Sequence, residues 1–131
     1  MTMTLLERVL SPEEAPIVEL ELPLLEAEGL RADLVAAGVF VAALTLTESD
    51  TDDEVLRLLA HAAHFPLYFG RNWNAVDDCL FDVGAFGAAR GFVLLVSGAS
   101  ATSLERLAGA ISYAAPFWVD AGLFARLVVL R

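Results

Sequence analysis

The chain has 131 residues, of which 57% are hydrophobic, and a formal net charge of −10 from 18 acidic and 8 basic side chains. This length fits one domain with a well-packed core, and the apolar runs are too short to span a bilayer. The negative charge argues against a direct nucleic-acid ligand, because phosphates would be repelled, and favours a basic protein partner. An acidic surface that serves only solubility explains the composition more simply.

The single cysteine, Cys79, cannot form an internal disulfide, and a lone thiol offers no metal cluster. The first ten residues lack the basic start and long apolar run of a secretory signal. We therefore expect a cytoplasmic protein with no cofactor and no metal.

The first predicted elements are two strands with a helix between them. Alternating apolar residues at 17–22 predict a half-buried or edge strand that is closed by Pro23. Residues 30–37 predict a short helix whose inward-facing side chains are Leu30, Leu34 and Val35. The apolar, β-branched residues 39–47 predict a buried strand, which an acidic turn follows.

Two helices are predicted next from their capping signals. Thr51, with Glu54 three residues later, forms a capping box at the start of a helix over 53–63. Asn72 is expected to cap a second helix, which runs to about Val83.

The last third of the chain predicts a strand, a helix and a strand. Residues 91–98 predict a continuously apolar strand, and residues 124–130 predict the last strand. Thr102 and Glu105 repeat the capping-box pattern before a helix that Pro116 should end or kink. After residue 38 the predicted order is strand, helix, helix, strand, helix, strand, which indicates an α/β fold with a mostly parallel sheet covered by helices.

The helix after Asn72 has two different sides. A helical wheel places one apolar set toward the core: Trp73, Val76, Cys79, Leu80 and Val83. The other side predicts an exposed phenyl ring among polar and acidic residues: Asn74, Asp77, Asp78, Phe81 and Asp82. A solvated face is enough to explain the acids alone. When the phenyl ring and Tyr68 are included, a solvated face and a surface that docks against a protein explain the pattern equally well.

No motif in this sequence indicates a catalytic site. No glycine-rich phosphate loop follows a predicted strand, and no serine lies in a nucleophile elbow. His61 and His64 lack a third metal ligand at suitable spacing, and Cys79 lies on an apolar helix face. We therefore expect that the protein is not an enzyme.

Residues 64–83 resemble the signature of the barstar family. The segment HFPLYFGRNWNAVDDCLFDV contains a proline, a tyrosine-aromatic pair, a glycine, an asparagine and a helix with an Asp-Cys-Leu triplet. The resemblance implies a three-stranded parallel sheet packed with helices over residues 39–131. Residues 1–38 are then expected to be an N-terminal strand and helix extension packed on the same domain.

Members of that family inhibit guanyl-specific ribonucleases inside the producing cell by inserting this loop and helix into the active-site groove. The resemblance thus implies an immunity protein or antitoxin that binds a basic ribonuclease or toxin. Asp78 matches the aspartate that occupies the phosphate-binding pocket of the nuclease, and Tyr68 matches the aromatic beside it. The full expected partner-binding set is Tyr68, Gly70, Asn72, Trp73, Asn74, Asp77, Asp78 and Phe81.

Departures from the family pattern keep an alternative open. Asn74 replaces a usual acid, Asp77 replaces a usual tryptophan, and a later glutamate has no clear equivalent in residues 114–119. Phe117 and Trp118 are either core residues or an aromatic anchor. The alternative is a barstar-fold interaction module whose partner is not a nuclease.

Overall fold

Four parallel strands form one sheet between two layers of helices in the computed structural model, which describes residues 4–11, 14–66, 70–87 and 90–131. The elements in chain order are α1 (Leu5–Leu10), β1 (Ile17–Leu20), α2 (Leu24–Ala36), β2 (Val39–Thr45), α3 (Asp52–Ala62), α4 (Trp73–Phe81), a 3-10 helix (Val83–Phe86), β3 (Gly91–Ser97), α5 (Ala101–Asp120) and β4 (Phe124–Leu130). The predicted α/β fold with a parallel sheet and helices is confirmed. The sheet has four strands rather than the three expected.

The fourth strand is β1, which joins the sheet at one edge. The strand order is β1-β4-β3-β2, and Ile17 pairs with Leu127 while Leu20 pairs with Leu130. From β2 to β3 to β4 the chain moves across the sheet in one direction, whereas from β1 to β2 it crosses in the opposite direction. Because crossovers between parallel strands are right-handed, the helix between β1 and β2 must lie on the opposite face from the later helices.

The two faces of the sheet bury separate apolar clusters. Helices α3, α4 and α5 cover one face, where Phe92, Leu94 and Leu127 are buried. Helices α1 and α2 cover the other, where buried residues of six elements pack together: Val9, Val18, Leu30, Leu34, Val39, Val93, Leu95 and Val128. Apart from Arg126 and Ser97, strands β3 and β4 are apolar on both sides, because both of their faces are covered.

A buried arginine fastens the segment before β1 to the sheet. Arg126, in β4, is 4% exposed, and its guanidinium donates to the backbone carbonyls of Ala15 at 3.1 Å and Glu14 at 3.2 Å. It also donates to the carbonyl of Val9. Burial lowers the pKa of Arg126, and the nearby charge of Glu14 opposes that shift. The hydrogen bonds replace the water that the buried cation has lost.

Helix α2 is longer than predicted, and one of its three residues that were expected to face inward is exposed instead. It begins at Leu24 rather than at residue 30, and Leu24 and Leu25 are exposed, so its first turn gives no inward-facing pattern in the sequence. Leu30 and Leu34 are buried as predicted. Val35 was expected to face inward but is 56% exposed, because α2 contacts the sheet through a narrow stripe.

The capping box of α3 is confirmed, whereas the one predicted for α5 is wrong. The amide of Glu54 donates to Thr51 Oγ1 at 3.3 Å, and the amide of Thr51 donates to Glu54 Oε2 at 2.9 Å. In α5 the N-cap is Ser100, whose hydroxyl accepts from the amide of Ser103 at 3.1 Å. Thr102 already lies inside this helix.

Pro116 does not end α5, because the helix continues through it to Asp120. Pro116 is exposed, so water can bond the carbonyl that its missing N–H leaves free. Two residues later Trp118 is completely buried, and its burial favours continuation of the helix. Among the described residues, no helix is long and apolar enough to cross a membrane.

Candidate functional site

The turn into α4 is fixed by the side chain of Asn72. Its Oδ1 accepts from the amide of Ala75 at 2.8 Å, and its Nδ2 donates to the carbonyl of Gly70 at 3.2 Å. The predicted N-cap is therefore confirmed, and both ends of the amide are occupied within the chain. Arg71, just before it, has a left-handed φ of 48°. Tyr68 lies outside the described residues, so its predicted role stays a prediction.

The core side of α4 is placed largely as predicted. Val76 and Leu80 are buried, while Trp73 and Cys79 are half-buried. The indole N–H of Trp118 donates to the carbonyl of Leu80 at 2.9 Å. The indole N–H of Trp73, by contrast, is buried and has no acceptor within the described ranges. Helix α4 ends at Phe81 rather than at Val83, which belongs to the 3-10 helix.

The acids of α4 are poorly compensated. Asn74, Asp78 and Asp82 are exposed and Asp77 is half-buried. Ion pairs in the described part of the chain involve none of these acids; they join Arg8 to Glu14, Arg71 to Asp53, Arg106 to Asp52, and Arg131 to Glu19. Asp77 lies at the middle of α4, whereas Asp78 lies in its last turn and Asp82 at its C-cap, and this last turn has no basic residue.

This placement opposes the helix dipole, because the C-terminal end of a helix already carries partial negative charge. In α3 the acids Asp52, Asp53 and Glu54 occupy the first turn, where the dipole favours them. The acids of α3 are therefore explained by local helix stability, whereas those of α4 are not.

Two groups on α4 have raised pKa values, first because of burial and second because of neighbouring negative charge. Burial, and then the charge of Asp78, raise the pKa of Asp77. Burial, followed by the charges of Asp78 and Asp82, raises the pKa of the Cys79 thiol. The thiol is thus protonated at neutral pH, in agreement with its expected role as a packing residue rather than a nucleophile.

Phe81 is not the exposed ring that the wheel predicted. Its ring lies 5.1 Å from that of Tyr113 and 4.3 Å from that of Phe117, both in α5. These three residues form an aromatic cluster whose outer members are open: Tyr113 is 57% exposed and Phe117 is 48% exposed. Phe117 is therefore partly exposed at the surface, whereas Trp118 is buried in the core. Tyr113 was missed, although its spacing of four from Phe117 was a usable signal.

Two cavities flank α4. A groove of about 660 Å³ lies between α4 and α5 and is lined by Trp73, Asp77, Glu105 and Tyr113, among others. On the other side, a cavity of about 230 Å³ lies beside the ends of α3 and α4, and we call it the α3–α4 pocket. Its polar lining includes Asp78 and Asp82. Asp77 and Asp78, although adjacent in sequence, therefore line different cavities.

The histidines considered as metal ligands, His61 and His64, form no metal centre with other described residues. In the part of the chain that the structure describes, no group of three His, Cys, Asp or Glu side chains is arranged to hold a metal ion. His64 instead has a left-handed φ of 56°, and its ring packs edge-on against Phe40 at 5.4 Å.

Comparison with known proteins gives one family match. A family model described as "Barstar (barnase inhibitor)" matches residues 39–120, which is more than half of the chain. The matched region runs from β2 to the end of α5 and contains the loop and helix described above. No curated protein and no solved structure matches the chain.

Proposed function

The chain belongs to the barstar family, and on that premise we propose that it binds a small basic ribonuclease and occludes its active site. The proposed contact surface is the loop before α4 together with the outward side of that helix. Asp78 is its anchor, and the other proposed contact residues are Tyr68, Gly70, Asn72, Trp73, Asn74, Asp77 and Phe81. In this role the protein inhibits an enzyme and catalyses no reaction itself.

The observation that carries this proposal is the set of uncompensated carboxylates on α4. Asp77, Asp78 and Asp82 have no ion-pair partner within the described ranges, and Asp78 and Asp82 lie toward the negative end of the helix. A partner whose active site is lined with Arg, Lys or His would relieve this repulsion. The exposed carboxylate of Asp78 would then take the place of a substrate phosphate through charge-assisted hydrogen bonds.

The whole chain supports the same kind of partner. Its net charge of −10 would steer a basic protein toward it and raise the association rate at low ionic strength. We further propose that it acts in the cytoplasm, as an immunity protein or antitoxin. Residues 1–38 are proposed to be an extension of the same domain as 39–131, a proposal that the three carbonyls bound by Arg126 support.

Calorimetric titration against a panel of small basic guanyl-specific ribonucleases, paired with an RNA-cleavage assay, tests the proposal. We expect one-to-one binding, loss of RNA cleavage in the complex, and an affinity that falls steeply as salt rises. Absence of binding across the panel at low salt would contradict it.

A second candidate is an interaction module with a non-nuclease partner, which the exposed part of the aromatic cluster favours. An interface built on Tyr113 and Phe117 would be apolar, so its affinity should barely respond to salt. Phe117→Ala should then abolish binding. The control Val119→Ala removes an exposed apolar side chain outside the cluster, on the same helix, and should leave binding unchanged.

A further inference from the structure

The α3–α4 pocket, beside the proposed anchor, has aromatic walls that are held in place. Its lining includes the rings of Phe40, His64, Phe65 and Phe86. Phe40 packs against Phe86 at 5.2 Å and against the buried Phe92 at 5.7 Å. With about 230 Å³, the cavity is smaller than a typical drug-sized ligand site and has room for one side chain or a small organic molecule.

The charges around this pocket favour a cation. The carboxylates of Asp78 and Asp82 line it, and none of its described lining residues is lysine or arginine. It also lies where α3 and α4 both end, since residues 63–66 follow α3 and Asp78 to Asp82 form the end of α4. Both helix ends carry partial negative charge, so the dipoles and the carboxylates act in the same direction.

The half-buried thiol of Cys79 lines the pocket together with Asp78 and Asp82. After burial itself, the charges of Asp78 and Asp82 are the causes that raise the pKa of Cys79. The aromatic lining adds to the attraction where a cation meets the face of a ring, because that face carries negative charge density. Carboxylates, helix ends and rings therefore all favour an organic cation with an apolar stem.

We propose that the α3–α4 pocket receives a lysine or arginine side chain of the protein partner that docks on Asp78. The alkyl stem lies against the rings, and the cationic group reaches Asp78 and Asp82. This inference rests on the proposed function, since it takes the occupant from the basic ribonuclease. It makes the interface reciprocal, with each protein inserting a charged side chain into a cavity of the other.

Charge-selective labelling of Cys79, the single cysteine of the chain, tests the pocket in the free protein. Its reaction rates with a cationic trimethylammonium and an anionic sulfonate methanethiosulfonate are each divided by the rate for free cysteine. We expect the cationic reagent to be favoured about tenfold or more. N-butylguanidinium, the side-chain analogue, should slow this labelling by competition.

Three substitutions with the same change in charge show where the preference arises. Asp78→Asn and Asp82→Asn should lower the ratio of rates, whereas Asp77→Asn should leave it nearly unchanged, because Asp77 lines the groove on the other side of α4. Equal rates for the two reagents, or an equal effect of all three substitutions, would overturn the cation preference.

The occupant is tested with the ribonuclease that calorimetry identifies. In the complex Cys79 should be protected from the cationic reagent, and Asp82→Asn should lower the affinity about fivefold or more while Asp78 is still present. Unprotected Cys79 in a complex that calorimetry detects would overturn the side-chain occupant but leave the proposed function intact. If the free protein prefers the cationic reagent but no ribonuclease of the panel binds, the side-chain occupant and the proposed function are both overturned. The pocket would then be a site for free organic amines.

Discussion

The indole N–H of Trp118 in α5 donates a hydrogen bond of 2.9 Å to the backbone carbonyl of Leu80 in α4. The last four carbonyls of a helix have no partner within that helix, so this bond satisfies one that would otherwise be buried and unpaired. Leu80 lies between Asp78 and Asp82, and both residues of the bond are buried. The bond therefore sets the position of the turn that carries the proposed anchor.

Trp118→Phe should lower the free energy of unfolding by about 2–3 kcal/mol, because it leaves the Leu80 carbonyl unpaired and opens a cavity. Trp73→Phe is the matched control. The buried N–H of Trp73 has no acceptor among the described residues, so removing it offsets part of the lost packing. We expect a change within about 1 kcal/mol there. Urea unfolding measures both, and equal losses would contradict the assignment.

Arg126→Met should lower the free energy of unfolding by about 1–3 kcal/mol, because three backbone carbonyls lose their donor. Amide hydrogen exchange should become faster in α1 and β1 before it does so in β3. Arg131→Met is the control: it removes only an exposed ion pair with Glu19, which is worth at most about 1 kcal/mol. Unchanged exchange in α1 and β1 would show that Arg126 does not hold this segment.

Asp77→Asn should stabilise the protein at neutral pH. The pKa of Asp77 is raised in the folded state, so the folded protein binds this proton more tightly than the unfolded chain does. The resulting contribution favours folding at low pH and is lost as pH rises through the folded-state pKa. The advantage of the variant should therefore shrink as pH falls, and vanish below the unfolded aspartate pKa of about 3.9. Thermal unfolding of both proteins between neutral and acidic pH measures it.

Asp78→Ala should weaken binding to the ribonuclease mainly through faster dissociation. An anchor of this kind costs about 2 kcal/mol or more when truncated, which corresponds to about a thirtyfold faster off-rate. Asp33→Ala removes the same charge from an exposed site on α2, on the other face of the sheet, and should change only the association rate slightly. Surface plasmon resonance separates the two rates, and an unchanged off-rate for Asp78→Ala would exclude the anchor role.

Local signals predicted much of the fold. The cap at Asn72 and the capping box at Thr51 are contacts within four residues, so their sequence pattern contains the whole interaction. Strand β4 was predicted with the bounds that the structure has, because a short, mainly apolar run that follows a turn is typical of a buried strand. The N-cap of α5 was misplaced because Ser100 and Thr102 both carry hydroxyls that can cap a helix.

The candidate site could be predicted only in part. The wheel of α4 correctly separated Val76 and Leu80 from the exposed Asp78. It could not show that Phe81 packs on Tyr113 and Phe117, because those rings come from α5, more than thirty residues later. It also could not show that Asp77 and Asp78 line different cavities, which depends on what lies on either side of α4.

The amino-acid sequence by itself determined the parallel α/β fold, the caps that begin α3 and α4, and the acidic character of α4. These properties depend on side-chain spacing and on hydrogen bonds between near neighbours. Only the tertiary structure decided that β1 becomes a fourth strand, that Arg126 fastens the segment before it, and that Asp78 borders an aromatic pocket. Each of these depends on segments distant in sequence, and the burial and hydrogen bonding that bring them together exist only once the sheet has formed.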